Sequence, residues 1–146
     1  MKKEILLKSN IKLNCESVDR ETAIKNAGAL MVETGYVTPE YVEGMLRRDA
    51  QLSVYVGNYL AIPHGEFEVK NEILSSGIVL FVYPDGIDWH GENVKVVLGL
   101  AGIDNEHMEI LSSIAMLFAE VSLVNDFIEL KTTDAVYDYI MRGLES

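Results

Sequence analysis

Apolar residues recur along this 146-residue chain with more than one period, and each period predicts an element. In "IKLNCE" (11–16) they alternate with polar residues, the pattern of a half-buried strand. Over 20–34 the spacing becomes helical: Ala23, Ala27, Leu30 and Met31 share one face, with Asp19 placed to cap and Gly35 to stop the helix. Thr38 and Pro39 mark a second helix start, a hydroxyl followed by the residue whose fixed φ suits the first helical position. That helix points Tyr41, Val42, Met45 and Leu46 inward and finishes near Arg47, Arg48 and Asp49. "SVYV" (53–56) and "YLAI" (59–62) predict short strands around a turn or bulge at Gly57 and Asn58. "GIVLFVY" (77–83) and "VKVVLGLAGI" (94–103) are apolar at nearly every position, as central strands covered on both faces are. The turn-rich "PDGIDWHGEN" between them reads as an exposed connection. Asp104 or Asn105 caps a helix to about Ala119, with Met108, Leu111, Ile114, Ala115 and Phe118 inward. Two more helices follow at about 121–130 (Leu123, Val124, Phe127, Ile128) and 134–143 (Val136, Tyr137, Ile140).

Helices therefore bracket a cluster of strands. Buried strands need cover on two sides, so the pattern predicts an α/β layered domain with helices on both faces of one sheet. The chain shows no repeat, low-complexity tract or linker, and its length suits one domain, 1–146, with one core. Its apolar runs are too short to span a bilayer. "MKKEILLKSN" starts basic but has no long apolar stretch or small-residue cleavage site, so it does not read as a signal peptide. One cysteine, Cys15, excludes an internal disulfide and fits a reducing compartment such as the cytoplasm.

Charge narrows the partners. A formal net charge of −11 lacks the basic footprint that nucleic-acid binding needs, and it disfavours anionic membrane surfaces. It suits a partner with a basic face, or serves solubility alone.

The candidate chemistry lies in three histidines and an arginine pair. His64 sits in "YLAIPHG" at the exit of an apolar strand. Pro63 ends the strand, and Gly65 lets the chain turn while removing bulk beside the ring, so the imidazole is presented at the strand's edge. The alternative is a turn histidine with no chemical role. His107 lies in the first turn of the helix opened by "IDNEHMEI", where free N–H groups and the helix dipole favour an anion and disfavour an imidazolium. Alternatively, it merely occupies an early helix position. His90, in "IDWHGE", reads as a solvated loop residue. Of Arg47 and Arg48 at the second helix's end, one suits capping; the other is free to hold phosphate or carboxylate by paired donors.

Familiar enzyme signatures are missing: no GxSxG, HExxH, dinucleotide fingerprint or Walker loop occurs, and one cysteine cannot build a thiolate zinc site. Asp85, Asp88 and Asp104 sit at turns, where capping and solvation explain them. What remains is a histidine after a strand, a histidine at a helix N-terminus and an arginine at a helix C-terminus. These groups suit phosphoryl transfer through histidine, which asks the protein mainly for positioning and charge stabilisation.

The blocks "YVTPEYVEGMLRRD", "YLAIPHG" and "DNEHMEI" occur in order, with "GIVLFVYPDGIDW" and "VLGLAGI" between them. In these the chain closely resembles the enzyme IIA component of the bacterial phosphoenolpyruvate-dependent sugar phosphotransferase system, of the mannitol/fructose type, over nearly its whole length. The resemblance implies a mixed sheet flanked by helices and a phosphocarrier phosphorylated on His64. It implies HPr as phosphoryl donor and a cysteine of an enzyme IIB domain, feeding a membrane-embedded sugar transporter, as acceptor. It assigns His107 to stabilising the phosphoryl group, aligns Arg48 rather than Arg47 with the family arginine, gives His90 no role, and implies no metal or cofactor. The loop "HGENVK" is shorter than that of some mannitol-type members. Mannitol is the first expectation by block similarity, with fructose or another hexitol behind it. The alternative function is a nitrogen-regulatory module in which phosphorylation of His64 switches protein contacts.

Overall fold

A computed structural model describes residues 4–145; residues 1–3, on which the reading of the N-terminus partly rests, and Ser146 lie outside them. The chain runs β1 (Ile11–Lys12), α1 (Arg20–Thr34), α2 (Pro39–Gln51), β2 (Tyr55–Gly57), β3 (Leu60–Ala61), β4 (Gly77–Trp89), β5 (Glu92–Ala101), α3 (Asn105–Leu117), α4 (Val121–Ile128) and α5 (Thr133–Glu145). Short 3-10 turns occupy Lys8–Asn10 and Phe67–Glu72. Among the described residues, no single helix is long and apolar enough to cross a membrane.

The strands form one five-stranded mixed sheet in the order β1-β4-β5-β3-β2. β4 and β5 pair antiparallel, β1 runs parallel to β4, β3 parallel to β5, and β2 antiparallel to β3. Side chains of the central hairpin alternate between two cores. Val79, Phe81, Tyr83, Val97 and Ala101 pack with Ala23, Ala27 and Met31 of α1 and Tyr41 and Met45 of α2. Ile78, Leu80, Val82, Val96, Leu98 and Leu100 pack with Ile110 and Ile114 of α3, Val124 and Phe127 of α4, and Val136 and Ile140 of α5. Both faces are covered, which is why 77–83 and 94–101 read as nearly continuous apolar runs. α1 lies close to β5 because Gly99 has no side chain; a Cβ there would fall 2.9 Å from Val79 Cγ2 and 3.0 Å from the Met31 sulfur.

Several boundaries depart from the sequence pattern. β1 is two residues long rather than 11–16, because Asn14 turns the backbone to a positive φ of 54°. Asp19 caps α1 through the Thr22 N–H at 2.7 Å, and Gly35 ends it at φ 92°, as the pattern predicts. Thr38 precedes α2 without capping it by its hydroxyl, which donates instead to Glu72 Oε1 at 2.5 Å. α2 runs two residues beyond Asp49, to Gln51. Most of "PDGIDWHGEN" is exposed, as expected, but it belongs to the β4–β5 hairpin rather than to an irregular connection, and Gly86, Ile87 and Trp89 are buried. Its Pro84, Asp85 and Gly86 lie in the register shift between Val82 and Ile87, after which the ladder resumes through Trp89 paired with Glu92. The reversal itself is His90 and Gly91, both at positive φ, as a two-residue hairpin turn requires. Trp89 is fully buried. On α3 the inward face is Ile110, Ile114 and, past its end, Phe118; Met108 is 58% exposed and Ala115 is exposed too. His107 belongs to this same face by helical spacing, so Met108, one position on, turns to solvent.

The topology also decides where the candidate residues meet. β3 and β5 are parallel neighbours, and their pairing carries on past β3: the Leu100 N–H donates to the Pro63 carbonyl at 2.9 Å. The two strands therefore finish at the same end of the sheet, one leading to His64 and the other through Gly102 into α3. In open α/β sheets such a paired exit makes a crevice. Leu98 lies on the α3–α5 side and is fully buried. Leu98→Ala is expected to cost about 2–5 kcal/mol. Urea unfolding checks this, with a lowered midpoint and an unchanged slope.

Candidate active site

His64 is half-buried at the mouth of a cleft of about 610 Å³ that Tyr41, Arg48, Gly65, Phe67, Gly102 and His107 help to line. Its Nδ1 lies 2.8 Å from the Ile62 carbonyl oxygen. A carbonyl only accepts, so Nδ1 carries the proton and Nε2 keeps the lone pair. Burial pushes the imidazole below its ordinary pKa, the Ile62 carbonyl opposes that, and the nearby His107 and Arg48 add to the lowering. The ring is thus a neutral base with one free nitrogen.

Tyr41 fixes the loop that carries this ring. Its hydroxyl donates to the Leu100 carbonyl at 2.9 Å and accepts the Gly65 N–H at 2.8 Å, joining the ends of β3 and β5. Burial pushes the phenol up to about 12, so it remains a donor. Gly65 allows the close approach: a Cβ there would fall 2.6 Å from Tyr41 Cε1 and 2.7 Å from Val69 Cγ2.

His107 meets His64 edge-on, with ring centroids 5.4 Å apart and planes at 61°. Burial lowers its pKa as well. Gly102 lets the start of α3 fold against the strand end, since a Cβ there would lie 2.3 Å from His107 Cα. Ser76, itself buried, holds this corner: its hydroxyl accepts the Ile103 N–H and donates to Glu106 Oε1, both at 2.8 Å. The residue preceding α3 is Asp104, with φ 50° and no side-chain cap bond, so the capping role expected of it is not made.

The two arginines of α2 divide differently from the expectation of one cap and one free group. Arg48 does both: one guanidinium nitrogen donates to the Leu52 carbonyl at the helix end, 2.5 Å away, and the side chain lines the cleft. Arg47 pairs through Nε with Glu66 Oε1, while Gln51 donates to Glu66 Oε2 at 3.0 Å. Arg47 and Gln51 stand four apart on one helix face, a spacing that signals a shared partner. Glu66, buried beside the phosphoacceptor candidate, is thereby neutralised. His90 lies outside this cleft and is not a free loop residue, because its Nε2 bonds the buried Asp49 at 2.8 Å. The sequence reading found His64, His107 and Arg48, which the fold brings together; it missed the hydroxyls of Tyr41 and Ser76 and the anchoring of Glu66, which depend on contacts between distant segments. Among the described residues, no group of three or more histidine, cysteine, aspartate or glutamate side chains is placed to hold a metal ion.

Chemically, the arrangement offers a neutral nitrogen nucleophile, an adjacent imidazole and a guanidinium around an open cleft. That is what an incoming phosphoryl group requires. Comparison with known proteins points the same way. Residues 4–143 match the family model "Phosphoenolpyruvate-dependent sugar phosphotransferase system, EIIA 2". The chain is 44% identical over 140 residues to the mannitol-specific phosphotransferase enzyme IIA component of Halalkalibacterium halodurans, covering 96% of this chain and 97% of that one. Its structure resembles the crystal structure of mannitol IIA from Escherichia coli, with a TM-score of 0.84, 33% identity, and coverage of 92% of this chain and 98% of that one. It also resembles the Escherichia coli complex of mannitol enzyme IIA with phosphorylated enzyme IIB, with a TM-score of 0.86, 32% identity, and coverage of 93% and 96%.

Tyr41→Phe is expected to cost about 1–3 kcal/mol, because it leaves the Gly65 N–H and the Leu100 carbonyl short of a partner. Denaturant unfolding of that variant measures the cost. In the intact protein the lowered pKa values give a second expectation. Below pH 6.5 the unfolded chain binds protons at His64 and His107 that the folded chain does not, so stability falls as pH drops from there through the folded pKa values. Proton NMR of the two rings should show midpoints below 6.5; midpoints at or above it contradict the neutral-ring assignment.

Proposed function

Because the chain belongs to the EIIA 2 family of the phosphoenolpyruvate-dependent sugar phosphotransferase system, we propose that it carries a phosphoryl group on Nε2 of His64. The donor in this reading is phospho-HPr and the acceptor a cysteine of an enzyme IIB domain that serves mannitol uptake. The observation that carries it is the His64 ring, tied to the Ile62 carbonyl through Nδ1 and facing a cleft shared with His107 and Arg48. The high identity to mannitol-specific relatives supports the sugar, and the likeness to a IIA–IIB complex supports the acceptor.

The transfer balances simply. The His64 Nε2 lone pair attacks phosphorus in line; the N–P bond of the donor breaks, and its nitrogen keeps the electron pair. The proton stays on Nδ1, donated to the Ile62 carbonyl throughout, so the ring need not turn. Arg48 supplies N–H donors to the equatorial oxygens beyond the one held by Leu52, and His107 offers a further ring N–H from the helix start. Passing the group onward reverses these roles with a thiolate as nucleophile. The protein acts as one domain in the cytoplasm.

Docking groups of the right kind surround the cleft. Phe67 lines it and is 73% exposed, while Glu68 and Asp104 provide acidic rim positions for a basic carrier. Raising salt should therefore slow transfer from phospho-HPr, as stopped-flow or rapid-quench rates would show; salt-independent rates count against steering. With phosphoenolpyruvate, enzyme I and HPr, the chain should gain an acid-labile, base-stable phosphate. His64→Ala should lose it entirely, and label persisting there removes the nucleophile. His107→Ala should fold and still be labelled, with transfer slower by about a hundredfold, the size of losing one such donor. Label that moves on to a mannitol enzyme IIB only when that domain is supplied supports the transport role; label that no IIB domain accepts points to regulation.

A further inference from the structure

His90 and its neighbour Trp89 lie at the tip of the β4–β5 hairpin, and both reach a buried carboxylate. Asp49, near the end of α2, is 1% exposed and accepts four hydrogen bonds. Its Oδ1 receives the Val54 N–H at 3.0 Å and Trp89 Nε1 at 2.9 Å. Its Oδ2 receives an Arg20 guanidinium nitrogen at 2.6 Å and His90 Nε2 at 2.8 Å. The donors come from the start of α1, the hairpin tip and the segment before β2. Burial alone would raise the carboxyl's pKa, but the Val54, Trp89 and His90 contacts outweigh it and hold the group below its usual range.

This anchorage closes a small loop. Asp49 grips Val54 at the far end of 49–54, and Leu52 of that loop is bonded twice to Arg48, the residue just before it. The Leu52 N–H donates to the Arg48 carbonyl at 3.1 Å, and the Arg48 guanidinium donates to the Leu52 carbonyl at 2.5 Å. The carbonyl that aims the Arg48 side chain thus belongs to the loop that Asp49 shapes. Arg48 in turn lines the cleft and acts on His64.

We propose that Asp49 is a positioning residue for phosphoryl transfer: through the 49–54 loop it sets the Leu52 carbonyl that aims Arg48, with Arg20, Trp89 and His90 holding the carboxylate in place. The proposal rests on the reading of His64 as phosphoacceptor. It gives His90 a part in the chemistry at one remove, through Asp49 and Arg48, without any contact to the phosphoryl group. A carboxylate that only stabilised the fold would not act through Arg48, and a double-mutant cycle separates the two roles.

The experiment follows transfer from phospho-HPr to the full chain by rapid quench, reading the saturating rate and the half-saturating concentration separately. Asp49→Asn keeps Oδ1 for Val54 and Trp89 but replaces Oδ2 with a nitrogen that cannot accept from Arg20 or His90. It should lower the saturating rate about threefold to tenfold with half-saturation unchanged. In an Arg48→Ala background, itself slowed further, the same change should cost less than about twofold. Equal slowing in both backgrounds overturns the proposal, as does no slowing by either single variant. Should Asp49→Asn not fold, His90→Ala takes its place in the same cycle. It should slow transfer about twofold to threefold only where Arg48 is present, with His90→Gln restoring the rate through its amide N–H. Slowing by His90→Ala in both backgrounds, or in neither, again overturns it. Label retained by His64→Ala would sink the phosphoacceptor reading itself, whereas label lost there with an additive cycle sinks only the positioning role.

Discussion

Nδ1 of His64 lies 2.8 Å from the carbonyl oxygen of Ile62, two residues earlier in the chain, and the chemistry of the cleft follows from that contact. It selects one tautomer, turns Nε2 outward and fixes the plane of the ring. A freely rotating imidazole would offer either nitrogen in many orientations, and in-line attack on phosphorus tolerates little of that. Pro63 follows the end of β3, and Gly65, at an ordinary φ, leaves room for Tyr41 and Val69 to pack against the loop that carries the ring. The Leu100 N–H on Pro63 and the Tyr41 hydroxyl on Gly65 then clamp this turn to the end of β5.

The same clamp explains how three residues far apart in sequence meet. β3 and β5 run parallel and stop together, so the segment after each reaches the same corner of the sheet. One delivers His64; the other passes through Gly102, where only a residue without a side chain lets α3 begin so close, and delivers His107. α2 packs over the opposite core and brings Arg48 to the rim from its C-terminus. Charge is arranged to suit. Burial lowers the pKa of both imidazoles, His107 and Arg48 lower that of His64 further, and Arg47 offsets the charge of the buried Glu66 carboxylate while Gln51 donates to its other oxygen. The field offered to a phosphoryl group is then that of Arg48 and oriented N–H donors.

Much of this was legible in the sequence, for definite reasons. α1 announces itself through Asp19, a helical apolar face and Gly35, all local signals that the fold retains. The central strands read as doubly buried because nearly every position is apolar. "IPHG" is legible because proline fixes the backbone on one side of the ring and glycine removes side-chain bulk on the other. Other features depended on partners that no local pattern reveals. Pro84 and Gly86 look like a turn, yet they mark a bulge, since pairing with β5 resumes beyond them and buries Trp89. His90 is exposed, as it looks, yet its Nε2 also bonds the buried Asp49, a residue 41 positions away. The Thr38 hydroxyl could cap its own helix, but the nearby Glu72 carboxylate takes it. Met108 fits an apolar stripe of α3 until His107 fixes which side of that helix faces the cleft.

The proposed function comes down to one atom: phosphorus is to bond to Nε2 of His64 while Nδ1 keeps its proton, hydrogen-bonded to the Ile62 carbonyl. Phosphorylating the chain with ring nitrogens labelled with nitrogen-15 and recording nitrogen–phosphorus couplings by NMR tests it most directly. The account predicts a single phosphohistidine at position 64, with the coupling on Nε2 and a protonated, slowly exchanging Nδ1. Coupling on Nδ1, or phosphorus on another residue, would contradict it.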